Sequence, residues 1–125
     1  MSALDVARNM MDAWTARDWD AVVALFTDDG VLEIVPLRAR HEGHAAIRGH
    51  LNEVAGGIEA LSFDVRTLVD SGNVVTFERD DVFTYNGKDA RVPVVGIMEI
   101  EGGKVKAWRE YFDGFTMGRA MGMDL

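Results

Sequence analysis

The hydrophobic and polar positions divide the chain into a helical first half and a strand-rich second half. Ser2 can cap a helix running to about Ala16, in which Val6, Met10, Ala13 and Trp14 recur at helical spacing. Asp18 caps a short second helix whose apolar side is Ala21, Val22, Leu25 and Phe26. Thr27-Asp28-Asp29-Gly30 reads as a turn, residues 31–35 as a strand and residues 36–42 as a loop. A third helix follows from Gly43 to about Ala55, with Ile47 and Leu51 inward. After Gly56-Gly57 the pattern changes to four strands, at about 58–69, 74–85, 90–100 and 105–112. The Met-rich tail beyond Asp113 reads as a short helix.

Two of these strands carry charge on their apolar side. Between Val75 and Phe83 the odd positions are the apolar set, interrupted by Arg79 and Asp81. In the last strand the even positions Trp108 and Phe112 flank Glu110. A lone buried charge costs several kcal/mol, so such groups are paired, neutralised or kept for function.

Turn chemistry predicts which residues meet. A two-residue turn at Asn86-Gly87 sets Tyr85 opposite Lys88, and therefore Asp81 opposite Val92, Arg79 opposite Val94 and Phe77 opposite Gly96. At Glu101-Gly102-Gly103 a three-residue loop with a glycine bulge keeps Trp108, Glu110 and Phe112 on the face of Val92 and Val94, with Glu110 opposite Val94. Arg79, Val94 and Glu110 then form one row, with Asp81, Val92 and Phe112 beside it. Strands lie ~4.8 Å apart, so an Arg and a Glu can meet over the intervening valine. Gly96 leaves space beside them. Two acids about one guanidinium are compatible with an active site and equally with a structural ion network.

Composition narrows the alternatives. A chain of 125 residues with 48% hydrophobic content suits one domain over residues 1–125. Thirteen Lys and Arg against 21 Asp and Glu give a net charge of -8, which disfavours nucleic acid and anionic membrane surfaces as partners. With no cysteine there is no disulfide, thiol nucleophile or thiolate metal site. No apolar run is long enough to span a membrane and no leader pattern is evident, so a cytoplasmic location is expected. His41, His44 and His50 cluster near the third helix, where His41-x-x-His44 could supply an acid/base group at the mouth of a pocket; the pair lacks a third ligand, and no metal is expected. No phosphate-binding glycine pattern is present and no cofactor is expected. Trp14, Trp19, Phe26, Met98 and Phe115 suit either a core or a cavity wall.

Helices, one strand among them, then an antiparallel meander predict an α+β arrangement with helices on one sheet face. This order resembles the fold shared by nuclear transport factor 2 (NTF2), ketosteroid isomerase and SnoaL-like cyclases. Glu78-Arg79-Asp80-Asp81-Val82, the Gly96 strand and Trp108-Arg109-Glu110-Tyr111-Phe112-Asp113 resemble limonene-1,2-epoxide hydrolase more narrowly. The resemblance implies a cone-shaped NTF2-like domain: three N-terminal helices on a strongly curved, mixed, mostly antiparallel sheet, assembled as a homodimer. It implies a cofactor-independent hydrolase that adds water to a small apolar epoxide. Asp81 would protonate the epoxide oxygen, Glu110 would take a proton from water, and Arg79 would orient both. Leu32, Ile34, Phe77, Phe83, Val92, Val94, Trp108 and Phe112 would line the substrate pocket. The family's water-holding Tyr and Asn fall at Leu32 and Ile34, and its Asp base is Glu110 here. A drier pocket of this kind also suits an isomerase or cyclase with a carboxylate proton shuttle, and the fold also serves as a ligand-binding module.

Overall fold

A reciprocal capping box starts α1 (Ala3–Thr15): Asp5 N–H donates to Ser2 Oγ at 3.1 Å and Ser2 N–H to Asp5 Oδ2 at 3.2 Å. Val6, Ala7, Met10, Met11 and Ala13 form its buried side. Asp18 caps α2 (Trp19–Ala24) through the Ala21 N–H at 3.1 Å. The computed structural model describes residues 1–123.

β1 spans Phe26–Ile34, and the Thr27–Gly30 segment read as a turn is an irregularity within it, where the pairing jumps from Phe26 to Val31. A single 3-10 turn at Val35–Leu37 reverses the chain into β2 (Ala39–Glu42), which pairs antiparallel with β1. The stretch expected to be loop is thus partly a short edge strand. Its polar sequence Ala39-Arg40-His41-Glu42 hid the alternation, yet His41 and Ala39 face one side and Arg40 and Glu42 the other. Helix α3 (His44–Ala55) follows, with Ile47 and Leu51 buried as the pattern predicts. β3 (Ile58–Asp70), β4 (Val74–Tyr85), β5 (Lys88–Glu101) and β6 (Lys104–Tyr111) form the meander, and the tail becomes α4 (Gly114–Ala120).

All six strands form one mixed sheet in the order β2-β1-β6-β5-β4-β3, with β1 parallel to β6 and every other pair antiparallel. This is the expected α+β fold with N-terminal helices, but the sheet is open-edged and not strongly curled, unlike the closed cone anticipated. One face packs on the helices over a core that includes Met10, Phe26, Leu32, Ile47, Leu51, Met98 and Trp108. No helix among the described residues is long and apolar enough to cross a membrane.

Both hairpin turns of the meander use left-handed backbone. Asn86 (φ 49°) and Gly87 (φ 81°) close the first, and β4 pairs with β5 in the register predicted from them. Gly102 (φ 59°) and Gly103 (φ 78°) close the second as a two-residue turn, because two adjacent glycines make both left-handed positions free of steric cost. The three-residue loop expected here is not formed. An irregularity one step further, between Ile100↔Val105 and Glu99↔Ala107, restores the facing of β6. Glu110 therefore points to the anticipated face but pairs with Gly96, two positions from the predicted Val94.

Candidate active site

The corrected register makes a better site than the predicted one. Arg79 on β4 pairs with Val94, and the neighbouring row is Phe77, Gly96 and Glu110. Glu110 reaches Arg79 diagonally across Gly96, with no side chain in the way. A Cβ at position 96 would lie 2.6 Å from Glu110 Oε2 and 2.7 Å from Arg79 Nη1. The absent side chain is thus a condition for the ion pair. Gly96→Ala is expected to leave a folded protein, because the crowded atoms are side-chain ends, while separating Arg79 from Glu110. Activity should fall at least about a hundredfold, since a misplacement of ~1 Å costs that much. Circular dichroism beside an activity assay checks both parts.

Arg79 is buried to 1% exposure and holds both acids. Its Nε donates to Asp81 Oδ1 at 2.7 Å and its Nη2 to Asp81 Oδ2 at 3.3 Å. Toward Glu110, Nη1 donates to Oε2 at 3.0 Å and Nη2 to Oε1, a bidentate pair. The guanidinium lies over two rings, 4.8 Å from the Phe63 centroid and 4.9 Å from that of Phe77, which fixes its plane. Burial acts to lower the Arg79 pKa, but Glu110 and Asp81 together outweigh it and the net shift is upward. Arg79 is a permanent cation serving two carboxyls.

One cation cannot neutralise two buried carboxylates. Burial, the largest effect, raises the Asp81 pKa, Arg79 pulls it down and Glu110 pushes it up again, for a net rise from 3.8 to about 6. The set thus favours one ionised acid and one that holds its proton into the mildly acidic range. Asp81 and Glu110 side chains keep 14% and 12% exposure, so both reach the cavity.

That cavity encloses about 360 Å³ between the sheet and helices α1, α3 and α4. This lies within the size range of small-molecule sites. Arg79, Asp81 and Glu110 lie on its wall together with Ile34, Phe83, Val94, Trp108 and Phe112. Leu32, Phe77 and Val92, also expected along the pocket, lie in the core instead: Leu32 (1% exposed) is sealed beneath the helices, Phe77 (0%) lies under the Arg79 guanidinium, and Val92 (1%) packs in a second apolar cluster with Phe83, Val94 and Ala120. Facing the right side of a sheet does not by itself bring a residue to the cavity when helices pack directly on its row. Of the aromatics and methionines weighed as wall or core, Trp14 lines the cavity, Phe26 and Met98 are core, Trp19 packs edge-on against Trp14, and Phe115 is 63% exposed.

Part of the wall comes from residues outside the expected substrate-pocket lining. It includes His50, Glu53 and Val54 of α3, His41 and Ala39 of β2, Phe63 of β3, and Met117 and Met121 of α4. The α3 signal was available, because Ile47, His50, Leu51 and Val54 form a stripe at spacings of three and four that places His50 on the inward side. His44, by contrast, is engaged at the start of α3, its Nε2 lying 3.0 Å from the Phe26 carbonyl oxygen.

A mixed sheet with helices around an apolar cavity that carries an acid–guanidinium–acid set defines an α+β protein with a candidate active site, and sequence comparison specifies its family. The SnoaL-like domain profile matches residues 7–108, and the chain belongs to that family, within the NTF2-like fold. A distant homologue is epoxide hydrolase EphG of Mycobacterium tuberculosis, 26% identical over 111 residues, which are 89% of this chain and 73% of that protein. The structure of an M. tuberculosis epoxide hydrolase of the limonene-1,2-epoxide hydrolase type superposes with TM-score 0.81 at 25% identity, covering 95% of this chain and 88% of that one. An NTF2-like protein of unknown function from Burkholderia pseudomallei superposes with TM-score 0.85 at 21% identity, covering 97% and 98%, which shows the fold alone.

Proposed function

We propose that this protein is a cofactor-independent epoxide hydrolase that opens a small, largely apolar epoxide to a vicinal diol. The observation that carries this reading is the pair of carboxyls about Arg79, of which Asp81 is raised to about 6. The homology to an epoxide hydrolase supports it.

In the proposed step Asp81 delivers its proton to the epoxide oxygen as the ring C–O bond breaks. Glu110 removes a proton from a water whose oxygen forms the new C–O bond. Water supplies one hydroxyl, the epoxide oxygen becomes the other, and the proton gained by Glu110 returns to Asp81 through solvent before the next turnover. Acid on the leaving oxygen and base on the water each contribute roughly a hundred- to ten-thousandfold. Arg79 is a positioning residue: it holds both carboxyls in place by hydrogen bonds and favours their ionised forms, while burial and the mutual repulsion of the two acids keep the proton on Asp81.

A second reading rests on Ile34, which pairs with Glu110 across β1 and β6 and lines the cavity where the resembling family has a water-holding Asn. An apolar neighbour there favours a dry proton shuttle, as in an isomerase or cyclase. Incubation with a panel of small epoxides, with products identified by mass spectrometry, separates the readings. Diol supports hydrolysis. A carbonyl or cyclised isomer of unchanged mass supports the shuttle, and binding without conversion would refute both.

A further inference from the structure

The proposed reaction leaves unused a second polar end of the same cavity. His41 on β2 and His50 on α3 stack with ring centroids 4.4 Å apart at 26°, and both line the cavity beside Glu53. His41 Nε2 is buried with no hydrogen-bond partner. The strand register sets the distance to the acids. Ala39, Ile34 and Glu110 form one row across β2, β1 and β6, and His41, Leu32 and Trp108 form the next. With strands ~4.8 Å apart and ~3.4 Å per residue along them, the backbones of His41 and Glu110 are roughly 12 Å apart. Ile34 and the rings of Trp14 and Trp108 line the cavity that joins them, and the two indole N–H groups are themselves buried without a partner.

Stacked rings do not converge on a common ion, and among the described residues no group of three His, Cys, Asp or Glu is placed to hold a metal. Burial first, and then His41, lower the His50 pKa against a smaller opposing effect of Glu53, which favours the uncharged form of that ring. Uncharged imidazoles offer N–H donors to a neutral oxygen. A carboxylate would meet Glu53 at this end and Asp81 and Glu110 at the other. A purely hydrocarbon ligand would cover the histidines and leave them without partners.

We infer that the His41–His50 pair is a recognition site for a neutral oxygen, a ketone or an alcohol, at the far end of the substrate's apolar body. This names the substrate class of the proposed hydrolase, an oxygenated epoxide in place of a pure hydrocarbon one, and as a statement about turnover it rests on that reading. The binding half does not. Ring opening is unnecessary for the histidines to be tested.

Tryptophan-fluorescence titration with menthone and with p-menthane, two bodies of matching shape with and without a ketone, isolates the oxygen. In H41F/H50F, which keeps two stacked rings but no polar ring atom, affinity for menthone should fall about tenfold more than affinity for p-menthane. H41Q/H50Q should recover part of that difference. If the double variants do not fold, H41F and H50F alone should each show the same direction. Equal changes for both ligands would overturn the site, and tighter wild-type binding of the matching ring carboxylate or ring ammonium would overturn the assignment of a neutral oxygen. If the menthone-specific loss appears while no epoxide is opened, the recognition site stands and the hydrolase reading falls. Conversely, diol formation with equal losses removes the recognition site alone.

Discussion

Asp81→Asn is expected to lower kcat by about a thousandfold and, at the same time, to make the protein more stable at neutral pH. Loss of activity follows because Asn has no acidic proton to place on the leaving oxygen, and a general acid contributes on the order of 10²–10⁴. The gain in stability follows from linkage. Burial raises the Asp81 pKa from 3.8 to about 6, so the folded state binds its proton more tightly than the unfolded state. The associated stability is fully present below about pH 4 and is lost as pH rises through about 6. Two units correspond to roughly 2–3 kcal/mol, and the amide, which cannot ionise, avoids that loss. Wild type should therefore weaken between pH 4 and 7 relative to the variant, as read by urea midpoints across the range. In the proposed mechanism the same proton serves the ring opening, so kcat should decline as pH rises past about 6. A variant that kept full activity would remove Asp81 from the acid role.

Arg79→Ala is expected to abolish measurable turnover and to destabilise the fold by about 3–5 kcal/mol, the cost of leaving buried charge without its partner. Arg79 donates every side-chain hydrogen bond that ties Asp81 to Glu110 among the described residues, and it fills the space between the Phe63 and Phe77 rings. Its removal lifts the downward pull on Asp81, so that carboxyl titrates still higher. Raised acids stabilise the folded state at low pH and lose that contribution as pH rises. The deficit of the variant should therefore be smallest near pH 4 and grow toward pH 8. Thermal melts at the two pH values check the direction. Equal deficits at both would mean that lost packing against the two rings, and not stranded charge, dominates.

The reverse face of the same strands shows how a structural ion network differs. Asp80 is 2% exposed beneath Arg66 at 2.6 Å and Arg91 at 2.8 Å, and Arg91 also reaches Asp64 at 3.0 Å. Hydrogen bonding from Arg91, with that from Arg66, lowers the Asp80 pKa, whereas Asp81 one residue away is raised. Two cations on one acid make a settled carboxylate. One cation shared by two acids leaves a proton to move.

Much of this arrangement is legible in the residue pattern. Period-two alternation put Arg79, Asp81 and Glu110 on one face, and Asn86-Gly87 gave the β4–β5 register residue by residue. The β5–β6 register differs by two from the expected one because Gly102-Gly103 permits more than one turn and the irregularity near Lys106 leaves no mark in the residue pattern. Parity survived the error, since two residues return to the same face. The far wall was less legible because it is assembled from helices. Which of the inward residues reach open space depends on how α1, α3 and α4 pack, and Leu32 and His41, cross-strand neighbours on one face, part there: one seals the core and the other lines the cavity.

In the proposed reaction Glu110 and Asp81 act on water and epoxide directly, without a covalent intermediate. A single turnover with enzyme in excess over epoxide, run in heavy-oxygen water and read by mass spectrometry, tests it most directly. Direct attack predicts that the first diol formed carries one labelled oxygen. An unlabelled first diol would mean that a carboxylate oxygen of the protein had attacked the ring, and no diol at all would contradict hydrolysis itself.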